Sequence, residues 1–304
     1  MASWLKRLYH SLPVVRELNM VREELSRHNR HADIALRTQI EQYLQGILSD
    51  PKYADPKRLA AHEAQLYSQN GEDGLISEIF RRIGPGAKTF VEIGVGDGLE
   101  NNTALLLAQG WNGWWFEADD GNLAAIRRYF PKRLERKSLR LVKSFIDAEN
   151  VRQLLTDNGV PPEPDFLSLD IDLNTYYVWE AMLSHVRARV FSIEYNGYFP
   201  AGVDWKVDYE PQAMWDQSTH YWGASLKAFE NLARPHGYRL VGCDLDGVNA
   251  FFVRDDLCGD LFPNPATAQN LYEPARGHVY AWRNALPEKH LSAIKQLLIR
   301  EAGR

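Results

Sequence analysis

A chain of 304 residues, 45% hydrophobic and 25% charged, is long enough to bury a full core, and one large α/β domain with an appendage is the natural count. The net charge of −5 offers nucleic acid no electrostatic footprint, and no apolar run is long enough to span a bilayer. Cys243 and Cys258 stand far from any metal-finger spacing and read as reduced thiols of a cytoplasmic protein; the N-terminus lacks an uninterrupted signal-peptide core.

Residues 1–57 form a helical N-terminal extension in this reading. Glycine is absent before Gly46, and Val14, Leu18, Val21 and Leu25 recur at alternating four- and three-residue steps. Ile40, Tyr43, Leu44, Ile47 and Leu48 make a second set. The spacing predicts two amphipathic helices separated by the polar 26–31 stretch. Three uses fit them: a homo-oligomerisation arm, a dock for a partner enzyme, or peripheral membrane contact through Trp4, Leu5, Leu8, Tyr9 and Leu12 beside Lys6 and Arg7. The plain alternative is a helical cap on the chain's own domain. His28 and His31 read as solvated helix-face residues. Pro51 and Pro56 bracket a linker into the main domain, 58–304.

Ser68-Gln-Asn-Gly-Glu-Asp then leads into a helix whose apolar face is Leu75, Ile76, Ile79 and Phe80, with Glu72 and Asp73 at its positive end. The β-branched run Thr89–Ile93 follows, then Gly94, Gly96 and Gly98, then a helix former from Thr103. Strand, glycine loop and helix make the first unit of a doubly wound sheet with a ligand over the loop. The glycines let the backbone turn sharply and approach that ligand without a Cβ. The third glycine comes one residue early for a nicotinamide fingerprint. The pattern Glu92-x-Gly-x-Gly-x-Gly resembles motif I of the class I S-adenosylmethionine-dependent methyltransferases. That resemblance implies that Glu92 faces the methionine end of the cofactor. The upstream segment resembles the stretch ahead of motif I in FkbM-like methyltransferases, which implies cofactor or substrate contacts for Gln69, Glu72 and Asp73.

Down the sheet, the second strand ends at Glu117, an acid placed to accept both ribose hydroxyls of a nucleoside, with Asp119 next in line. The third, 141–147, sets Ser144, Phe145 and Ile146 beside the adenine, or else as ordinary loop and core residues. The fourth, 166–171, closes on Asp170 and Asp172, and the fifth, from Val190, ends in Glu194 and Asn196. Two adjacent carboxylates suggest a proton acceptor or a cation site, although one of such a pair commonly caps the next helix. Hard oxygen donors at neighbouring strand tips suit Mg²⁺ or Mn²⁺ on Asp172, Glu194 and Asn196. This is similar to catechol-type metal-dependent O-methyltransferases. The metal-free alternative makes Asp170 or Asp172 the general base, with Glu194 and Asn196 orienting the acceptor.

Residues 197–222 are aromatic, polar and irregular, which fits a substrate lid as well as a packing flap. Aromatics interleaved with Asp204, Asp208, Glu210 and Asp216 suit a sugar. His220 is a candidate base there, or a structural histidine. A helix from Gly223 and two strands, 238–244 and 249–254, resemble the antiparallel final hairpin of the same methyltransferases. Asn249 stands at the start of the last strand, and a terminal helix is expected over 287–300.

Taken together, the chain is expected to form a doubly wound, Rossmann-like seven-stranded methyltransferase sheet of α/β class. The resemblance implies O-methylation of a hydroxyl on a sugar, glycan or related metabolite with S-adenosyl-L-methionine, in bacterial surface-polysaccharide assembly. Two rivals stand beside it: a nucleotide-sugar glycosyltransferase holding Mn²⁺ on Asp170-x-Asp172, and a non-catalytic scaffold.

Overall fold

The computed structural model describes residues 13–216 and 218–279. The apolar residues Trp4, Leu5, Leu8, Tyr9 and Leu12 and the helix expected over 287–300 lie outside the described residues.

Seven strands form one sheet in the order β3-β2-β1-β4-β5-β7-β6: β1 (Thr89–Ile93), β2 (Asn112–Glu117), β3 (Leu139–Lys143), β4 (Phe166–Leu169), β5 (Val190–Glu194), β6 (Tyr238–Cys243) and β7 (Asn249–Arg254). All neighbours pair in parallel except β7, which runs antiparallel to both β5 and β6. This is the doubly wound, Rossmann-like seven-stranded sheet expected from the sequence. The chain order reverses between β1 and β4, so the loops after these strands diverge and open a crevice at their carboxyl ends. Strand three ends earlier than its hydrophobicity suggests, at Lys143, and leaves Ser144–Ile146 in the loop beyond it.

Alternation along each strand builds two apolar layers. Val91, Ile93, Phe116, Leu167, Phe191 and Phe252 pack against helices that carry Val178, Trp179, Met182 and Phe229. Phe90, Trp115, Phe166, Val190 and Phe251 pack on the opposite face against the Glu72–Ile83 helix through Leu75, Ile76, Ile79 and Phe80. The helix after the glycine loop is short, Ala104–Ala108.

The N-terminal extension departs from expectation in two ways. Pro13–Leu48 is one continuous helix rather than two, because the polar 26–31 stretch contains neither glycine nor proline and nothing there breaks it. It is also not a cap over its first half: Val14, Leu18, Val21 and Leu25 are 52–66% exposed, whereas Ile40 is buried. The chain after it is fastened to the domain, since Lys52 Nζ donates to Glu273 Oε1 at 2.7 Å and Tyr53 Oη to the same carboxylate at 2.8 Å. No helix among the described residues is long and apolar enough to cross a membrane.

Candidate active site

Two cavities meet at the crevice. One, of about 380 Å³, is polar and is lined by Gln69, Glu72, Glu92, Gly96, Asn102 and Asn249 among others. The second, of about 200 Å³, is lined mainly by apolar groups, including Phe116, Phe145, Ile146 and Met214, together with Glu117 and Ser144. Gly94 and Asp170 line both.

The glycine loop is shaped by its surroundings. Gly94 has φ +82°, and a Cβ there would fall 1.7 Å from the Asp170 carbonyl oxygen. Gly98, at φ +81°, would drive a Cβ to 2.8 Å from the Trp115 ring. Only Gly96 faces open space, and its N–H donates to Glu117 Oε2 at 2.8 Å. The expectation that all three glycines clear room for a ligand is corrected for one of them: Gly98 admits the core and lines neither cavity, whereas Gly94, which also admits the strand-four backbone, and Gly96 both line the polar cavity.

The acids fall into two sorts. Some brace loops. Glu92 is buried and accepts from Asn101 Nδ2 at 2.5 Å, Asn102 N at 2.9 Å, Thr103 N at 3.1 Å and Thr103 Oγ1 at 2.5 Å. Burial pushes its carboxyl up to about 7 against those hydrogen bonds. Asp73 Oδ2 accepts the N–H groups of Leu66, Tyr67 and Ser68, so it fastens the segment ahead of its helix and does not line either cavity. Glu72 is buried and accepts from Asn70 and, at 2.8 Å, from Asn249 Nδ2, which joins the Glu72–Ile83 helix to the last strand under the polar cavity. Gln69 is exposed at the rim. Glu117 accepts from Ala118 N and Asp119 N with Oε1 besides the Gly96 contact. Asp119 itself caps the following helix through Asn122 N.

The remaining acids are gathered. Asp170, Asp172 and Glu194 each place a carboxylate oxygen within 4.8 Å of the others, with no lysine, arginine or histidine in the group. Burial pushes the Asp170 carboxyl up to about 6, and the charges of Asp172 and Glu72 add to this while a hydrogen bond with Glu194 opposes it. Glu194 is held well above the usual range, first by burial and then by Asp170 and Asp172. Its buried Oε2 has no hydrogen-bond partner. Asp172 is raised by burial and takes φ +58°, a left-handed conformation that costs a non-glycine residue about 1–2 kcal/mol.

Two expected site residues are not in this group. Asn196 is wholly buried, donates from Nδ2 to the carbonyl oxygens of His220 and Trp222 at 2.9 Å each, and accepts Tyr198 N at Oδ1. Its amide holds the base of the 197–222 segment, so the oxygen cluster is Asp170, Asp172 and Glu194 instead. His220 is exposed, stacked on Tyr198 at 3.8 Å between ring centroids, and lines neither cavity. Spacing could not reveal this, because both residues sit in an irregular stretch where no periodicity fixes direction.

That stretch is pinned beside the site. Asn174 Nδ2 donates to Glu210 O at 2.8 Å, Tyr177 Oη to Val207 O at 2.9 Å, and Lys206 Nζ lies 3.8 Å over the Tyr176 ring. Ala213 and Met214 form part of the apolar cavity wall. The site residues that sequence reasoning passed over are the asparagines: Asn101, Asn102 and Asn122 line the polar cavity. Two of them stood in plain view, directly after the glycine loop.

No protein-family model matches the chain, and no curated protein sequence matches it. Among solved structures it is similar to an S-adenosylmethionine-dependent methyltransferase from Clostridium acetobutylicum, at 11% identity and TM-score 0.39, over 70% of this chain and 98% of that one. It is similar to an amino pentose methyltransferase from Micromonospora echinaspora, at 14% identity and TM-score 0.38, over 62% and 92%. A third likeness is to magnesium protoporphyrin IX methyltransferase from Synechocystis, at 9% identity and TM-score 0.37, over 61% and 79%. At such identities and scores no activity carries across.

Proposed function

We propose that the chain is a methyltransferase that uses S-adenosyl-L-methionine, of the FkbM-like kind. The observation that carries the reading is the pair of joined cavities at the switch point, apolar with Glu117 on one side and polar on the other, meeting at Gly94 and Asp170. A donor with a nucleoside at one end and an amino acid at the other has this division of polarity. Phe145, Ile146 and Ser144 would flank the adenine and Glu117 the ribose, while Gln69, Glu92 and the asparagines would surround the amino-acid end. Bound there, the cofactor would supply an activated methyl group for transfer to the acceptor oxygen, its sulfur keeping the electron pair of the carbon–sulfur bond. The chain's own part is positioning and proton handling. Asp170, at the junction, takes the acceptor's hydroxyl proton, and burial and the charges of Asp172 and Glu72 favour its protonated form. Crowding keeps a proton on Glu194, which is held well above the usual range, while Asp170, at about 6, is ionised at neutral pH and able to accept one.

The acceptor we propose is a sugar or glycan hydroxyl. Tyr198 and Tyr221 are about half exposed on the 197–222 segment, and Tyr221 Oη lies 3.4 Å from Asp208 Oδ2, so aromatic rings and a carboxylate are offered to such a molecule. We read that segment as a lid. A second reading of the acid cluster is favoured by the unpartnered Glu194 Oε2: the three carboxylates also fit Mg²⁺ or Mn²⁺. The exposed half of the N-terminal helix we assign to self-association, and two buried free thiols suit a cytoplasmic setting.

Calorimetric titration of the full chain with S-adenosylmethionine, NAD and a UDP-sugar tests the reading. Binding of S-adenosylmethionine alone is expected; binding of the UDP-sugar without it would overturn the proposal in favour of glycosyl transfer. Titration with Mg²⁺ and Mn²⁺, and activity after EDTA, separate the two readings of the acid cluster.

A further inference from the structure

The apolar cavity borrows its outer wall from a distant stretch of chain. Gly94 and Phe116 come from strand ends and Phe145 from the loop after β3, but Ala213 and Met214 belong to the segment that follows β5. Met214 is 78% exposed and yet borders the cavity, so its side chain has solvent on one side and that space on the other. A tight turn sets it there: Ala213 N donates to Glu210 O at 3.2 Å, and Gln212 between them takes φ +65°.

This stretch is tied down on both flanks. Toward β4, Asn174 Nδ2 donates to Glu210 O and Tyr177 Oη to Val207 O. Toward β3 the hold is narrower. Tyr209 Oη donates to Glu149 Oε2 and accepts Ala148 N at 3.2 Å. Among the described residues, the hydrogen bonds from the 197–222 segment to residues 144–150 all pass through this one hydroxyl. The turn it grips reaches the cavity wall, since Asp147 and Asn150 bond to each other and Asn150 Nδ2 donates to Phe145 O at 2.9 Å. Burial and the Glu149 carboxylate push the Tyr209 phenol up to about 12, so it stays a donor across the neutral range. Its ring packs separately on Tyr177, at 4.9 Å between centroids.

We propose that Tyr209 is a positioning residue that latches residues 205–214 as a strap across the apolar cavity, so that the donor's nucleoside end enters and leaves only while the latch is open. This rests on the methyl-donor reading and extends the segment's part from the acceptor to the donor. Tyr209, Glu149 and Ala148 line neither cavity, so the latch makes the same bonds whether the cavity is filled or not. Its loss therefore speeds entry and exit alike and leaves affinity nearly unchanged. A side chain that merely touches the donor behaves otherwise: its loss speeds exit alone, and affinity falls in step.

The experiment is stopped-flow tryptophan fluorescence on the full chain with S-adenosylmethionine and S-adenosylhomocysteine, beside calorimetry. In the parent the observed binding rate is expected to level off as ligand concentration rises, because opening becomes limiting. Tyr209→Phe keeps the ring on Tyr177 and lacks the hydroxyl. Its plateau and its dissociation rate are expected to rise together by about tenfold, the scale of one hydrogen bond to a charged group, with Kd within about twofold. Glu149→Gln retains an acceptor oxygen for the phenol and is expected to stay nearer the parent than Tyr209→Phe does. Rates in Tyr209→Phe equal to the parent's overturn the latch and leave the methyl-donor reading standing. So does faster dissociation with an unchanged plateau and a matching loss of affinity. Failure of both ligands to bind the parent overturns the methyl-donor reading, and the latch with it.

Discussion

Glu92 joins the sequence to the site at a single residue, and its environment sets a measurable pH response. Four hydrogen bonds from residues 101–103 reach its carboxylate, yet burial still lifts the group to about 7. An unfolded glutamate has a pKa of about 4.3. Between these values the folded chain holds a proton that the unfolded chain has released. Folding therefore takes up a proton there, and the group's contribution to stability falls as pH rises from about 4.3 to about 7. Replacing the carboxyl by an amide removes this linkage. Urea midpoints measured from pH 5 to pH 8 are expected to decline less steeply for Glu92→Gln than for the parent chain; parallel slopes would place the titration elsewhere. Glu117 makes a different case. Its Oε2 takes the Gly96 N–H and its Oε1 two further backbone N–H groups, so it both orders the loop and lines the apolar cavity. Glu117→Ala is expected to lower S-adenosylmethionine affinity by about tenfold or more, measured by calorimetry, in keeping with loss of a charged hydrogen-bond acceptor. Unchanged affinity would mean that the ribose lies elsewhere.

The elements show which parts of the site could be read from the sequence and why. A strand end is legible: a short apolar run and the glycine or acid that bounds it locate it within a residue or two, and this brought Gly94, Glu117, Asp170 and Glu194 to the crevice. The loops are not legible, because their direction depends on tertiary hydrogen bonds. Asn196 stands two residues beyond Glu194 yet is turned to the 197–222 segment, and His220 faces outward on Tyr198. Of the three glycines, Gly94 and Gly96 line the polar cavity and Gly98 does not, and their separate roles are testable. Gly94→Ala would place a methyl against the Asp170 carbonyl at positive φ, and a loss of more than about 3 kcal/mol in unfolding free energy is expected. Gly96→Ala meets open space and carries only the left-handed backbone cost, about 1–2 kcal/mol. Equal losses in urea titrations would contradict the packing account of Gly94. The proposed lid has its own hinge of contact in Asn174, whose amide donates to Glu210 O. Asn174→Ala is expected to raise the acceptor KM severalfold and, because Asn174, Ala213 and Met214 also line the apolar cavity, to weaken S-adenosylmethionine in calorimetry as well; unchanged values of both would mean that the Glu210 contact does not hold the segment over the site.

At the scale of the whole molecule, the N-terminal helix is the element that the domain does not use up. Two apolar sets lie along it, on either side of the polar 26–31 stretch. In the C-terminal set Ile40 is buried and the Tyr43 ring meets His278 at 5.3 Å, so that part rests on the chain's own domain. The N-terminal set, Leu25, Val21, Leu18 and Val14, is uncovered. The four- and three-residue steps are those of a left-handed helix pair, and a parallel copy would bring Glu17 beside Arg22 of its partner across the seam. Burying such side chains contributes roughly 1.5–3 kcal/mol each at most, against an association cost of about 4–15 kcal/mol. Two heptads from each chain therefore support a dimer of roughly micromolar strength rather than an obligate one. Sedimentation equilibrium of the full chain is expected to show concentration-dependent dimerisation, abolished by Leu18→Asp with Leu25→Asp. Donor affinity of that variant should match the parent, because neither residue lines the cavities. A parent chain that stays monomeric while binding anionic vesicles would instead assign the stripe to a membrane surface.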